Sequence, residues 1–352
     1  MTSHSLPRCF TSALAVLVAL AAVHAVAHAA EEDWVTVAQP GESNVLPAAT
    51  ESDRIWYADW RVQQMFDSRT SYQFGTAPES LRQWAPLSKL DWSLDSTWTG
   101  VRLGVKRPTW DVHCEWLTPM VRGINGNMSD YDWGIAASQD PTSLDSLSVS
   151  PERWLDGQKL EVEEEFLWSN CFLGMPVELW PLAGFRWQRF DMMAYNGLQV
   201  INNAPPPEVG YRWDEDMVSF NQQYYMAYLG GQLRKTIERA AAPPITLVIQ
   251  ADYGFTAGYN VDHHISGYEA DGIHRYTMES TAGDVFHVAL TADVPFNKHL
   301  AVGAQVDHTQ IHTTGTHHWV MSGAATADER WDNGVVVMSQ QTSATGYVRC
   351  CW

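Results

Sequence analysis

Between Ile245 and Tyr259 the chain alternates residue by residue. Ile245, Leu247, Ile249, Ala251, Tyr253, Phe255 and Tyr259 fall on one phase; Thr246, Gln250, Asp252 and Thr256 fall on the other. A period of two is that of a strand, whose successive side chains point to opposite faces. One face suits hydrocarbon and the other a polar lumen. The same habit predicts strands near 55–75, 88–105, 110–121, 160–172, 179–196, 219–235, 245–260, 274–295, 300–314 and 334–352. These are ten, an even number, as closed antiparallel bacterial barrels require. The expected fold is therefore all-β, a ten-stranded antiparallel transmembrane β-barrel.

The connections support a barrel. Lys106 to Thr109, Gly174 to Pro176 and Asn297 to His299 read as tight turns, and 236–244 as a slightly longer one. The segments 122–159, 197–218, 260–273 and 315–333 are long and polar. Short turns on one side and long loops on the other are the barrel habit. The chain closes on an aromatic, Trp352, and carries 17 Trp, 13 Tyr and 11 Phe with only 18% charged residues. Aromatic girdles at two membrane interfaces use residues of this kind.

The first thirty residues read as a secretory signal: Arg8, an apolar run from Phe10 to Val23, then Ala27-His28-Ala29. The expected organisation is a signal peptide over 1–30, an extension over 31–52 and a barrel over 53–352. A net charge of −19 excludes nucleic acid as a partner. Cys114, Cys171, Cys350 and Cys351 remain after cleavage without a C-x-x-C pair, and a Cys114–Cys171 bridge is left open.

Two short motifs carry chemistry. Asp130 and Asp132 stand two apart, as do Asp262 and His264. On strands each pair shares a face. A carboxylate pair facing a carboxylate–imidazole pair is a kit for activating water, with His as general base. Asp262 and His264 share the parity of the polar face, so they point into the lumen near one end. For Asp130 and Asp132 parity is not traceable, since Gly123 and Gly126 allow a bulge.

With Ser88-Lys89-Leu90-Asp91-Trp92, Gly126-Asn127-Met128-Ser129-Asp130-Tyr131-Asp132-Trp133 and Asp262-His263-His264 in this order, the chain resembles the omptins, outer-membrane aspartate–histidine endopeptidases. Asn333-Gly334 opens a final stretch that fits that family's last strand. The resemblance implies that Asp262 orients His264, that His264 and Asp130 flank an attacking water, and that Asp132 sits behind Asp130. It implies peptide or protein substrates, location in the outer membrane of a Gram-negative bacterium, no cofactor, and lipopolysaccharide as an activating lipid. Asn260 occupies a substrate-binding position where the family carries an acidic group, so the preference for basic residues is expected to be altered. Arg189 matches a lipid-binding position, while Gln223 stands where another Arg is expected. A barrel that keeps the fold but serves adhesion or binding is the alternative.

No metal site is expected. His308 and His312 are four apart, roughly 13 Å on a strand, too far to share an ion. His317 and His318 face opposite ways, and His263 points away from His264. The run Glu161, Glu163, Glu164, Glu165 reads as a solvated rim, and Trp180 and Trp187 as girdle or packing residues.

Overall fold

The computed structural model describes residues 54–75, 87–133, 144–201, 212–240, 242–265 and 268–352. The signal, the extension and the first outer loop around Thr76–Pro86 lie outside the described residues. Among the described residues thirteen strands run β1 Ile55–Phe74, β2 Ser88–Ser93, β3 Thr97–Arg107, β4 Trp110–Pro119, β5 Gly123–Asp132, β6 Ser146–Phe166, β7 Glu178–Tyr195, β8 Leu198–Ile201, β9 Asp216–Ile237, β10 Ile245–His264, β11 Ile273–Asn297, β12 Leu300–Gly323 and β13 Ala327–Cys351. A short 3-10 turn, Glu269–Asp271, lies between β10 and β11.

These segments make a ring of ten staves. β2 and β3 both pair with β1 and form one stave broken at Leu94–Ser96; β4 and β5 both pair with β6 and form another. β8 is a short addition beside β6. Every pairing is antiparallel, and β13 closes on β1 from Tyr57↔Cys351 to Phe74↔Val335. Closure leaves no free edge. The ten-stranded barrel expected from the alternation is what the chain forms.

The strand limits differ from the expectation in the outer half. The segment 122–159 is not one loop: β5 and the first half of β6 occupy most of it. The strands on either side of 260–273 and 315–333 also run on, to His264 and Gly323. Where a barrel wall rises above the membrane both faces are wet, and a polar–apolar alternation no longer marks the strand. The bulge expected near Gly123 and Gly126 is present as a register shift between Gly123 and Asn127. Gly126 has φ +133°, and a Cβ there would lie 2.5 Å from the Ser93 hydroxyl. Only glycine fits that turn of the wall.

The outer wall of β10 presents Leu247, Ile249, Tyr253, Phe255 and Tyr259, all exposed. Leu229, Phe286 and Leu290 continue the band on β9 and β11. A tilted strand needs about 9–11 residues to cross the hydrocarbon, and the band ends at Tyr259. Asp262 and His264 are therefore carried above it.

The lumen is filled by side chains. A cavity of about 310 Å³ in the lower half is lined by charged groups including Arg61, Arg102, Glu161, Glu163 and Arg186. Arg186 donates to both oxygens of Asp252, at 2.6 and 3.0 Å, and His287 Nδ1 lies 2.7 Å from the same carboxylate. The run of glutamates is not a solvated rim. Period two turns Glu161, Glu163 and Glu165 inward; Glu163 and Glu165 are buried, against Arg186 and Arg234. Tyrosine rings lie across glycines on neighbouring strands at Tyr57–Gly104, Gly184–Tyr228 and Gly303–Tyr347. Their hydroxyls donate to Asp111, Glu163 and Asp293, each at 2.9 Å. Above this layer Trp92, Trp98, Trp154, Phe190, Phe220 and Met65 pack into an apolar cluster, which forms the floor of the mouth. The cysteines Cys114, Cys171, Cys350 and Cys351 are free thiols.

Candidate active site

β10 delivers Asp262 and His264 to the lumen on its even positions, beside the buried Thr256 and Asn260. β5 delivers Asp130 and Asp132 in phase with the buried Ile124 and Met128. The two strands stand on opposite arcs of the ring, separated by β6, β7 and β9 on the short way round. The register sets their height: Asp130 pairs with Leu90, Leu90 pairs with Tyr72, and the Tyr72 hydroxyl donates to Asp262 Oδ2. A residue of β1 thus ties the level of one pair to that of the other.

His264 Nε2 lies 3.2 Å from Asp262 Oδ1, with Asp262 fully buried and His264 slightly open to the mouth. Contact of a carboxylate with one ring nitrogen fixes the ring and leaves the other nitrogen to act. The Ser88 hydroxyl donates to Asp130 at 3.3 Å, and the Ser146 hydroxyl donates to Asp132 at 3.1 Å. Asp130 interacts electrostatically with Asp132 and Asp262 as like charges and with Arg275 as an opposite one. Burial, and then the neighbouring Asp132 and Asp262 carboxylates, push the Asp130 carboxyl well above the usual carboxylate range. Arg275, register partner of His264, is the cation that offsets them.

Beneath the pair lies a buried polar belt. Asn260 is fully buried between Gln222 and Glu279, and neither atom of its amide has a protein partner. Gln222 is in the same state. Glu279 accepts from or shares a proton with His317 Nδ1 at 2.9 Å, and its second oxygen is free of protein partners. Buried polar atoms of this kind call for partners.

Arg189 faces the outer wall, opposite Gln223. It donates to Asp191 at 2.9 Å and lies 3.7 Å from Asp156. His263 points outward, stacked on Tyr276 at 4.1 Å. His317 is buried and His318 pairs with Asp328 on the other face.

Sequence reasoning did not single out Tyr72, Arg275, Glu279 or His317 as parts of this site. Tyr72 is 190 residues from Asp262 and carries no local sign. A sign existed for the β11 residues: Arg275, Thr277 and Glu279 fall on one phase and are all polar.

Fold and mouth together define a ten-stranded antiparallel barrel of the outer-membrane type, with an Asp–His pair and an Asp–Asp pair facing each other across its open end. In sequence the chain matches the Omptin family, over residues 77–242. In structure it is similar to the outer membrane protease OmpT from Escherichia coli, at TM-score 0.71 and 15% identity, covering 87% of this chain and 99% of that one. The translocator domain of the autotransporter NalP from Neisseria meningitidis aligns over 82% of this chain and 87% of its own, at 8% identity and a TM-score of only 0.29. No curated protein matches the chain in sequence.

Proposed function

We propose that this barrel is an outer-membrane endopeptidase that cleaves peptides or surface proteins by direct attack of water. The observation that carries the reading is the Asp262–His264 contact in a mouth that also holds Asp130 and Asp132. The match to the Omptin family and the likeness to an outer membrane protease support it.

His264 acts as general base toward a water held between its imidazole and Asp130. Asp262 orients the ring, and Tyr72 orients Asp262. Asp132 backs Asp130, the two carboxylates sharing a proton or a water network. No side-chain nucleophile is needed, since a water fixed beside the scissile carbonyl is already in attacking position. The chain is exported by its signal peptide and stands in the outer membrane of a Gram-negative cell.

The belt of Asn260, Gln222 and Glu279 receives a substrate side chain. Asn260 is neutral, and the carboxylate across from it, Glu279, is engaged by His317. The pocket is thus less anionic than one lined by free carboxylates, and the preference for Arg and Lys is correspondingly relaxed. Lipopolysaccharide contacts the outer wall at Arg189 and supports activity. That neutral pocket also favours the second reading, a binding or adhesion barrel.

Folded protein in lipopolysaccharide-containing detergent, incubated with a mixed-sequence peptide library, decides between them by mass spectrometry. Cuts that vanish in both Asp130→Ala and His264→Ala establish the protease. Absence of any cut from folded protein leaves the binding barrel.

A further inference from the structure

A second cluster of ligating side chains stands on the outside of the same rim. His263 and Tyr276 are register partners across the β10–β11 hairpin, and His274 lies two residues before Tyr276 on the same face. His263 and His274 are therefore diagonal neighbours, the arrangement in which long side chains of adjacent strands still meet. The 3-10 turn Glu269–Asp271, closed by Gly272 at φ +70°, brings Glu269 over them. Glu269 Oε1 lies 3.4 Å from His263 Nε2 and 3.7 Å from His274 Nδ1. One donor atom from each of the three residues falls within 4.8 Å of the others.

These separations are not those of ion pairs. An imidazolium closes on a carboxylate to about 2.7–2.9 Å, and this chain does so elsewhere: His287–Asp252 and His318–Asp328 both stand at 2.7 Å. At 3.4 and 3.7 Å they approach the spacing of ligands around one ion. Zinc bonded at about 2.0–2.1 Å to nitrogen and oxygen in a tetrahedron holds its ligand atoms about 3.3–3.4 Å apart. Two imidazoles favour zinc over the hard cations calcium and magnesium, which take oxygen.

We propose that His263, Glu269 and His274 form a zinc site on the outer face of the rim, and that zinc bound there sets the position of Tyr268 against His264. The binding stands by itself; the effect on cleavage rests on the protease reading. The link is Tyr268, which precedes Glu269. Its ring meets His264 edge-on at 6.2 Å between centroids, and its hydroxyl accepts from Arg275 Nη1 at 2.6 Å. Zinc ties the turn to both strands from outside while Tyr268 touches the pair from inside. The ion would thus act as a clamp on the outer face of the wall, opposite the face that carries the Asp262–His264 pair.

The test uses the full barrel, folded in detergent and stripped with chelator. Zn²⁺ is titrated by calorimetry and Co²⁺ by the visible absorption of its tetrahedral complexes, with Ca²⁺ and Mg²⁺ alongside. The wild type is expected to bind one Zn²⁺ and to give the tetrahedral Co²⁺ spectrum. His274→Ala and Glu269→Gln, both exposed positions, are expected to lower affinity by at least about a hundredfold, the upper end of what losing a mere outer-shell partner costs. Zinc should alter peptide cleavage in the wild type and not in His274→Ala. No stoichiometric Zn²⁺ binding, or binding unchanged in both variants, overturns the site. Binding that depends on His274 while zinc leaves cleavage unaltered overturns the clamp alone. A barrel that cuts nothing still answers the binding question.

Discussion

The hydroxyl of Tyr72, on the first strand, donates to the carboxylate of Asp262, on the strand that also bears His264. Tyr72 is buried and stacks on Phe220 at 5.5 Å, which stacks in turn on Trp92 at 5.2 Å. The carboxylate that holds the imidazole is thus itself held, by a residue locked in the apolar floor of the mouth. Tyr72 is a positioning residue: it reaches His264 only through Asp262.

Replacing Tyr72 by Phe keeps the stack and removes the donor. Leaving a buried charged acceptor short of one partner costs about 1–3 kcal/mol. The expected outcome is a fall in kcat of about tenfold to a hundredfold with KM little changed. Steady-state cleavage of one good peptide from the library checks it; a change confined to KM would place Tyr72 in substrate binding instead.

Asn260→Asp sets a carboxylate directly opposite Glu279 in the belt. An added negative charge in a partly desolvated pocket favours a cationic side chain, and a gain of about 1.4 kcal/mol is tenfold. The library profile should move toward cuts beside Arg and Lys by about that factor relative to neutral residues. Glu279→Gln should move it the other way. A profile indifferent to both would remove the belt from substrate recognition.

Arg186 is held on both oxygens of Asp252, which also binds His287, deep in the lumen. Truncating one partner of a buried ion pair costs about 3–5 kcal/mol because the other charge is stranded. Glu161 still pairs with Arg186, so Asp252→Ala should cost near 3 kcal/mol, the lower end of that range. Denaturant unfolding in detergent, followed by tryptophan fluorescence, measures it.

At Gly184 a Cβ would meet the ring of Tyr228 at 2.3 Å, and that ring is fixed by Glu163 and by Arg186 stacked at 3.8 Å. Gly184→Ala should therefore destabilise the barrel by about 1–3 kcal/mol, as overpacking does. Gly346→Ala, where nothing lies within 4 Å, is the matched control and should fold as the wild type does. The same unfolding measurement compares the two.

Arg189 already contacts Asp191 and Asp156 at the outer wall. A phosphate group must compete with both, and an exposed pair of this kind is worth about 0–1 kcal/mol. Arg189→Ala should weaken stimulation by lipopolysaccharide by less than about tenfold. Cleavage rates across a lipid titration test this, and complete loss of the lipid response would make Arg189 its main anchor.

The sequence spoke most clearly where the wall meets lipid. Along β10 hydrocarbon on one side and the lumen on the other enforce opposite chemistries, so Ile245 to Tyr259 declared both strand and orientation. Above the membrane that contrast fades. β5, with Asn127, Ser129 and Tyr131 on its outer phase, read as loop although it carries half of the candidate site. The four candidate residues stood out because their spacing of two survives in any extended segment. Their support was not. Tyr72, Arg275 and the Glu279–His317 pair join the site through register across distant strands, which local pattern does not encode. The glutamate run misled for a related reason: charge suggests water, yet its alternate members are neutralised inside by arginines from β7 and β9.

The closure of β13 on β1 bears on when this protein can be dangerous. Asp130 and Asp132 arrive on one arc of the wall, Asp262 and His264 on another, and Tyr72 comes from β1, the strand on which β13 closes. Only in the closed ring do all five side chains share one mouth. On the proposed reading the full hydrolytic site, with Tyr72 holding Asp262, is complete only when the seam is closed. The topology itself then makes cleavage a property of the closed ring rather than of any one strand.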